Sequence, residues 1–123
     1  MELQKLQAIV VDALEDIKGK DIEVIDTTKL TSLFDRVVVA SGDSNRQVKS
    51  LARNVQEKVR EAGGEVLSIE GEQTGEWVLV DLGDIVVHVM QPAVRNYYNL
   101  EELWGAKAPV RRQAGSQGGS SAA

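Results

Sequence analysis

The sequence of 123 residues has no cysteine, one histidine and no apolar run as long as a bilayer-spanning helix. The lack of cysteine excludes disulfide bonds and thiolate metal sites, and His88 alone cannot form a histidine-rich metal site. The first residues lack the basic start and the uninterrupted apolar stretch of a signal peptide. These absences predict a soluble cytoplasmic protein without a membrane segment, a metal or a cofactor.

Basic residues are also missing from the stretch between Arg60 and Arg95. The seven acidic residues in this stretch are Glu61, Glu65, Glu70, Glu72, Glu76, Asp81 and Asp84. The whole chain has a formal net charge of −5, which disfavours general binding to nucleic acid and favours a basic protein as the partner. A solvated acidic surface that only maintains solubility is the alternative explanation.

The spacing of apolar residues predicts a single α/β domain. We predict, in chain order, helix 2–18, strands 21–26 and 35–41, helix 44–62, strands 65–70, 76–81 and 84–90, and helical segments 92–98 and 100–104. This order predicts a mixed β-sheet of about five strands with packed helices. The composition beyond residue 105 changes to glycine, serine, alanine and glutamine, which predicts one domain over 1–106 and a disordered tail over 107–123.

The start of the second helix has a recognisable sequence signal. Ser44 followed by Gln47 is typical of a capping box, in which the two side chains bond to backbone N–H groups of the first turn. The side of this helix opposite its apolar residues is basic, and it carries Arg46, Lys49, Arg53 and Arg60. A solvated helix face explains this basic stripe, and a phosphate-contacting surface for nucleic acid is the alternative.

The strands 76–81 and 84–90 are predicted to form a hairpin around a tight turn at Leu82-Gly83. Side chains alternate along a strand, so one face contains only β-branched residues and is predicted to be core. The other face carries Trp77, Leu79 and Asp81 beside Val86, His88 and Met90, with Trp77 opposite His88. Two interpretations of this face stay open: packing beneath a helix, or an exposed binding surface.

The loop Gly42-Asp43-Ser44 lies between a predicted strand and a predicted helix, as does the phosphate-binding loop of nucleotidyltransferases. Such enzymes also need carboxylates that alternate along a strand and hold Mg²⁺. The next strand has acids only at its ends, Glu65 and Glu70, and their odd separation places them on opposite faces. The sequence therefore predicts a protein that is not an enzyme.

Three contiguous segments resemble one known family. They are SGDSNRQV (41–48), SIEGEQTGEWVLVDLGDIVVHVM (68–90) and RNYYNLEELWG (95–105). Over roughly residues 3–106 the chain resembles the ribosomal silencing factor family, also called Iojap-like. The resemblance implies a fold similar to nucleotidyltransferases but without their catalytic residues. It also implies a translational repressor that binds the ribosomal protein numbered fourteen on the large subunit and sterically blocks joining of the small subunit.

The resemblance further implies partner contacts in the hairpin and in the segment after it. Carried over by position, the candidate contacts are Trp77, Asp81, His88, Met90, Pro92, Tyr97, Tyr98 and Trp104. Tyr97 and Tyr98 are adjacent on a predicted helix, so one is expected to face the sheet and the other the solvent. The alternatives are a nucleotide-binding enzyme that uses residues 42–46 and a direct rRNA-binding assembly factor that uses the basic stripe. The oligomeric state, with a homodimer as one option, is left open.

Overall fold

The computed structural model describes residues 1–104, which form a five-stranded sheet with two long and two short helices. The elements are α1 (Leu3–Asp16), β1 (Lys20–Asp26), β2 (Arg36–Ser41), α2 (Asn45–Glu61), β3 (Ser68–Glu70), β4 (Trp77–Asp81), β5 (Ile85–Met90), α3 (Pro92–Tyr98) and α4 (Leu100–Leu103). The strand order is β1-β2-β5-β4-β3; the β2–β5 pair is parallel and the other three pairs are antiparallel. The predicted mixed sheet is confirmed. The predicted tail, 107–123, lies outside the described residues.

Capping side chains fix the start of α2 and connect it to α1. Ser44 Oγ accepts a hydrogen bond from the backbone N–H of Gln47 at 3.1 Å, and Gln47 Oε1 accepts one from the backbone N–H of Asp43 at 2.7 Å. The Gln47 side-chain amide also donates to the carbonyl oxygens of Ile17 and Lys18 at 3.2 and 3.3 Å. The predicted Ser44 cap therefore forms, whereas Gln47 reaches the N–H of Asp43, one residue before the cap, and also holds the end of α1 against the first turn of α2.

The main core lies between the sheet and the pair α1 and α2. The β-branched face of the hairpin contributes Val78, Val80, Ile85, Val87 and Val89, all of which are fully buried. Leu14, Leu51 and Val55 of the two helices are also fully buried in this cluster. The predicted core face of the hairpin is confirmed.

A smaller core lies on the opposite face of the sheet, beneath α3 and α4. Its buried members are Ile25, Val37, Val39, Met90 and Leu100, with Phe34, Trp77, Val94 and Trp104 partly buried around them. The short helices cover this face incompletely, since Trp77, Leu79 and Asp81 of β4 all stay half-buried. On the second face β5 is therefore covered and β4 is partly open, and its interpretation as a binding surface stays a prediction.

One buried arginine holds α3 and α4 on the sheet. The guanidinium of Arg95 donates to Ser41 Oγ at 2.9 Å and to Glu101 Oε2 at 2.7 and 2.9 Å. Ser41 ends β2 and Glu101 lies in α4, so a single side chain connects the sheet with both short helices. A buried charge is stable only with such partners.

The turn between β3 and β4 brings Gly71 into close contact with the start of β4. Gly71 has φ +85°, and a Cβ atom there would lie 2.0 Å from the carbonyl oxygen of Trp77. Gly63, after α2, has a similar φ of +89°, but nothing lies within 4 Å of its Cβ position. The two glycines therefore share a backbone conformation and differ in the space around them.

We expect Gly71→Ala to lower the free energy of unfolding much more than Gly63→Ala. At Gly63 the left-handed backbone alone costs about 1–2 kcal/mol for a residue with a Cβ atom, whereas at Gly71 the added methyl group must also displace the backbone of β4. Urea unfolding of both variants measures the difference. Equal losses of stability would show that the turn relaxes around the methyl group.

Candidate partner-binding site

Four ring side chains meet where β4, β5 and α3 come together. The ring centroids of Trp77 and His88 are 5.9 Å apart, those of Trp77 and Tyr98 are 4.8 Å apart, and those of Tyr98 and Tyr97 are 5.0 Å apart. These separations are contact distances for ring pairs. The four rings therefore form one continuous series, His88–Trp77–Tyr98–Tyr97, which we call the aromatic row.

The aromatic row runs from the interior of the protein to the solvent. His88 is 9% exposed, Trp77 is half-buried, Tyr98 is 53% exposed and Tyr97 is 81% exposed. Tyr98 rests on the indole of Trp77 and Tyr97 is turned outwards, as expected for neighbours on a helix, although both stay largely accessible. Exposed tyrosines supported by a buried ring are typical of protein–protein contact surfaces.

The pairing of the hairpin differs from the predicted one. Trp77 lies opposite Met90, and Leu79 lies opposite His88, whereas the prediction paired Trp77 with His88. Trp77 and His88 are therefore diagonal neighbours. The predicted faces remain correct, because the register differs by two residues and side chains repeat with a period of two.

The position of the turn causes this difference. The two-residue turn is Gly83-Asp84, closed by a hydrogen bond from the N–H of Leu82 to the carbonyl oxygen of Ile85 at 2.9 Å. Gly83 has φ +91°, a conformation that suits the first position of a tight hairpin turn. A turn at Leu82-Gly83 would place Leu82 at the solvent-exposed tip, and the observed turn buries it in the main core.

Trp77 and His88 are connected by a hydrogen bond as well as by ring contact. The indole Nε1–H of Trp77 donates to Nδ1 of His88 at 3.0 Å. An indole nitrogen can only donate, so Nδ1 must be unprotonated. Burial lowers the pKa of His88 from 6.5 to about 4, because the imidazolium would lose its hydration. His88 is therefore neutral at physiological pH and able to accept this bond.

Two of the candidate contacts lie in the interior. Met90 is 0% exposed and packs in the smaller core with Leu100, so its prediction as a surface contact is wrong. The cause is α4, which places Leu100 in the cluster that contains Met90. His88 is also buried, and its identified polar contact is with Trp77 rather than with a surface group.

The other candidate contacts remain accessible to different extents. Pro92 is exposed in the first turn of α3. Asp81 is half-buried, and its Oδ1 accepts a hydrogen bond from the N–H of Gly83 at 2.9 Å. Trp104 is half-buried against Phe34, with ring centroids 5.3 Å apart in an edge-to-face arrangement. Asp81 and Trp104 therefore have structural roles that do not prevent their outer edges from contacting a partner.

The basic stripe lies on the solvent side of α2, on the other face of the sheet from the aromatic row. Arg46, Arg53 and Arg60 are exposed, and Lys49 is half-buried. Within residues 1–104, none of the four forms an ion pair. Exposed Glu57 lies between Arg53 and Arg60 on the same side of the helix, so the stripe is interrupted by a negative charge.

The loop that resembles a phosphate-binding loop is occupied by its own hydrogen bonds. The N–H groups of Asp43 and Gln47 bond to the side chains of Gln47 and Ser44. The carboxylate of Asp43 pairs with Lys20 Nζ at 2.6 Å.

Over the described part of the chain, no group of three or more histidine or acidic side chains is placed to hold a metal ion. The same residues contain no helix long and apolar enough to cross a membrane.

Sequence reasoning missed the role of Arg95 and Glu101. Both lie in the segment RNYYNLEELWG, in which neither was assigned a role from the sequence. Arg95 is the first basic residue after the acidic stretch, and this isolated position is the signal that could have drawn attention to it. The pairing with Ser41, 54 residues away in the chain, carries no local sequence signal.

Comparison with known protein families finds a match over nearly the whole chain. The family described as ribosomal silencing factor during starvation matches residues 1–122.

The chain belongs to the ribosomal silencing factor family. The ribosomal silencing factor of Chromobacterium violaceum is 62% identical over 109 residues, which cover 89% of each chain. A crystal structure of a protein from the same organism has a TM-score of 0.86 and 59% identity, over 92% of this chain and 94% of that one. A crystal structure of a protein from Bacillus halodurans has a TM-score of 0.76 and 36% identity, over 82% of this chain and 94% of that one.

A more distant relative of this silencing factor comes from mouse and is named mitochondrial assembly of ribosomal large subunit protein 1. It is 29% identical over 78% of this chain and 43% of its own length. The predicted family is confirmed. Membership gives this chain a ribosome-associated regulatory role.

We expect the stability of this silencing factor to fall between about pH 6.5 and pH 4. The unfolded chain binds a proton at His88 near pH 6.5 and the folded chain only near pH 4. The contribution of neutral His88 to the free energy of unfolding is therefore complete above pH 6.5 and is lost as the pH falls through 4. The total loss is about 3 kcal/mol.

Urea unfolding at several pH values measures this loss, with His88→Asn as the control. Asparagine removes the titrating group and retains an acceptor for Trp77, so subtracting its pH dependence removes the contribution of the carboxylates. Parallel pH curves for the two proteins would contradict a buried, neutral His88.

Proposed function

We propose that this silencing factor represses translation by binding the large ribosomal subunit through the ribosomal protein numbered fourteen. The bound chain sterically blocks joining of the small subunit, so no covalent chemistry is required. Family membership and the name of the mouse relative support a connection with the ribosome and with its large subunit. The observation that carries the proposal is the exposed outer end of the aromatic row.

The outer end of the aromatic row has the properties of an interface anchor. Tyr97 and Tyr98 present large ring surfaces to solvent. The buried ion pair of Arg95 fixes the backbone of α3 beneath them. A rigid aromatic anchor loses little side-chain entropy on binding, and this property is typical of interface hot spots.

The acidic stretch next to this anchor suits a basic partner. Glu72 and Glu76 are exposed in the loop before β4, and Glu76 directly precedes Trp77. Complementary charge accelerates association and discriminates between partners more than it raises affinity. The acids therefore contribute to how fast the partner is found, and the rings contribute to how long it stays bound.

The alternative of a nucleotide-binding enzyme receives little support from the structure. The N–H groups of Asp43, before the helix, and of Gln47, in the first turn of α2, are already bonded, and the Asp43 carboxylate beside them disfavours a phosphate. A minor rRNA contact through the basic stripe is a second candidate, because its cations form no ion pair within residues 1–104. Both alternatives predict binding partners other than a basic protein.

We expect the protein to sediment with isolated large subunits but not with small subunits or intact ribosomes. Tyr97→Ala should weaken this binding by about 2 kcal/mol, as truncation of an interface hot spot does. The same change should leave thermal unfolding unaltered, because the side chain is 81% exposed.

The matched control is Val24→Ala, which shortens an exposed apolar side chain on the α1 and α2 side of the sheet. It should leave binding unaltered and lower the free energy of unfolding by about 1 kcal/mol, because the side chain is only 38% exposed. Normal binding by the Tyr97→Ala variant would place the contact elsewhere. Equally tight binding to naked rRNA would favour the RNA alternative.

We expect association with large subunits to slow as salt rises, because ions screen charges beyond about 8 Å at physiological ionic strength. Replacing Glu72 and Glu76 by glutamine should slow association further and reduce its dependence on salt. Stopped-flow measurement of the association rate tests both. The control variant has glutamine in place of Glu2, just before α1, and of Glu15, within α1. Both are exposed acids, so the net charge changes by the same amount. A rate that is independent of salt would contradict a steering role for the acids.

A further inference from the structure

We propose that His88 is a positioning residue, which holds the Trp77 indole in the orientation that supports Tyr98 and Tyr97 and does not itself touch the partner. This inference rests on the proposed function, because it assigns a role within the same binding surface. It differs from the expectation that the resemblance gave, in which His88 was one of the contacts. Three features of the aromatic row support this inference. They are the hydrogen bond between Trp77 and its diagonal neighbour His88, the packing of the tyrosine rings outwards from the indole, and the unprotonated Nδ1 of His88 as the acceptor.

The hydrogen bond selects one orientation of the indole. Trp77 lies at the first position of β4, half-buried, where the strand alone leaves a tryptophan side chain several rotamers. Its direct neighbour across the hairpin is Met90, and His88 is the diagonal neighbour. Diagonal neighbours on two paired strands are about 7–8 Å apart, so the indole must lean along the strand to bond with His88 at 3.0 Å.

The exposed tyrosines depend on that orientation. The Tyr98 ring packs on the indole at 4.8 Å with an interplanar angle of 45°, and the Tyr97 ring packs edge-to-face on Tyr98 at 5.0 Å. The helix that carries them, α3, has seven residues and is too short to be stable by itself. Arg95 fixes its backbone, and the indole supports its rings.

The acceptor on His88 is suited to this role and not to partner contact. The side chain is buried among the strands and is therefore out of reach of a partner that binds at the surface. Its Nδ1 is occupied by the indole N–H. The lowered pKa of His88 keeps Nδ1 unprotonated at physiological pH, so the bond persists under the conditions of binding. Asparagine offers an acceptor at the same distance from the backbone, and leucine offers a similar volume with no acceptor.

The test combines a rescue with a double-mutant cycle, with binding to isolated large subunits as the measurement. His88→Leu should weaken binding about three- to tenfold, the equivalent of losing one net hydrogen bond. His88→Asn should bind nearly as tightly as the wild type. In a Trp77→Phe background, which has no indole donor, His88→Leu should cause no further loss, because its effect passes through Trp77.

The indole N–H signal of Trp77 in the NMR spectrum gives a readout that is independent of binding. It is assigned by its absence in Trp77→Phe. It should be protected from solvent exchange in the wild type and in His88→Asn, and it should lose that protection in His88→Leu. Thermal unfolding of each variant controls for general loss of structure.

The outcomes separate this inference from the proposed function. Normal binding by Tyr97→Ala and Trp77→Phe would overturn the proposed surface. Weakened binding by those variants together with normal binding by His88→Leu would overturn only the positioning role. An equal loss from His88→Leu in both backgrounds would also overturn it, since His88 would then act on its own. If His88→Leu does not fold, His88→Asn decides: reduced binding with a protected indole signal would show a direct contact and overturn the inference.

Discussion

The proposed binding surface depends on a buried positive charge that the fold must neutralise. The guanidinium of Arg95 lies beneath α3, and Ser41 and Glu101 supply its hydrogen bonds. Removing one partner from such a pair typically costs about 3–5 kcal/mol, which is more than helices of seven and four residues can offset by themselves. The positions of α3 and α4, and therefore of Tyr97, follow from this one interaction.

The two faces of the sheet are covered to different extents. α1 and α2 bury the larger core on one face. The buried cluster on the other face is smaller, with five apolar residues and partly buried rings at its edge. All five aromatic residues of the chain lie on this second face, at its edge or on α3. Because the first face suffices for a core, the second can keep its aromatic surface accessible.

The sequence was sufficient to predict the elements, their order and the face of each hairpin residue, because these depend on local periodicity. The hairpin register depends on burying Leu82 in a core built by α1 and α2, and no local pattern contains that information. The burial of Met90 depends likewise on Leu100 of α4. The resemblance predicted the family but could not distinguish a contact from a packing residue, and His88 shows why: a residue can serve a surface from the interior.

A steric repressor must find its target quickly and leave it slowly, and separate features of this chain suit the two requirements. In the proposed complex, association depends on long-range charge, for which the acidic stretch is suited and which salt can screen. Dissociation of that complex depends on short-range contact, for which the aromatic row is suited. A group that titrates near neutral pH at the inner end of the row would make the ring contacts sensitive to charge as well, because its protonation would place a positive charge beneath the rings. Burial of His88 lowers its pKa to about 4 and prevents this, so pH changes near neutrality leave the rings undisturbed. The arrangement of the row therefore depends on the neutral state of His88 as well as on the hydrogen bond that His88 accepts from Trp77.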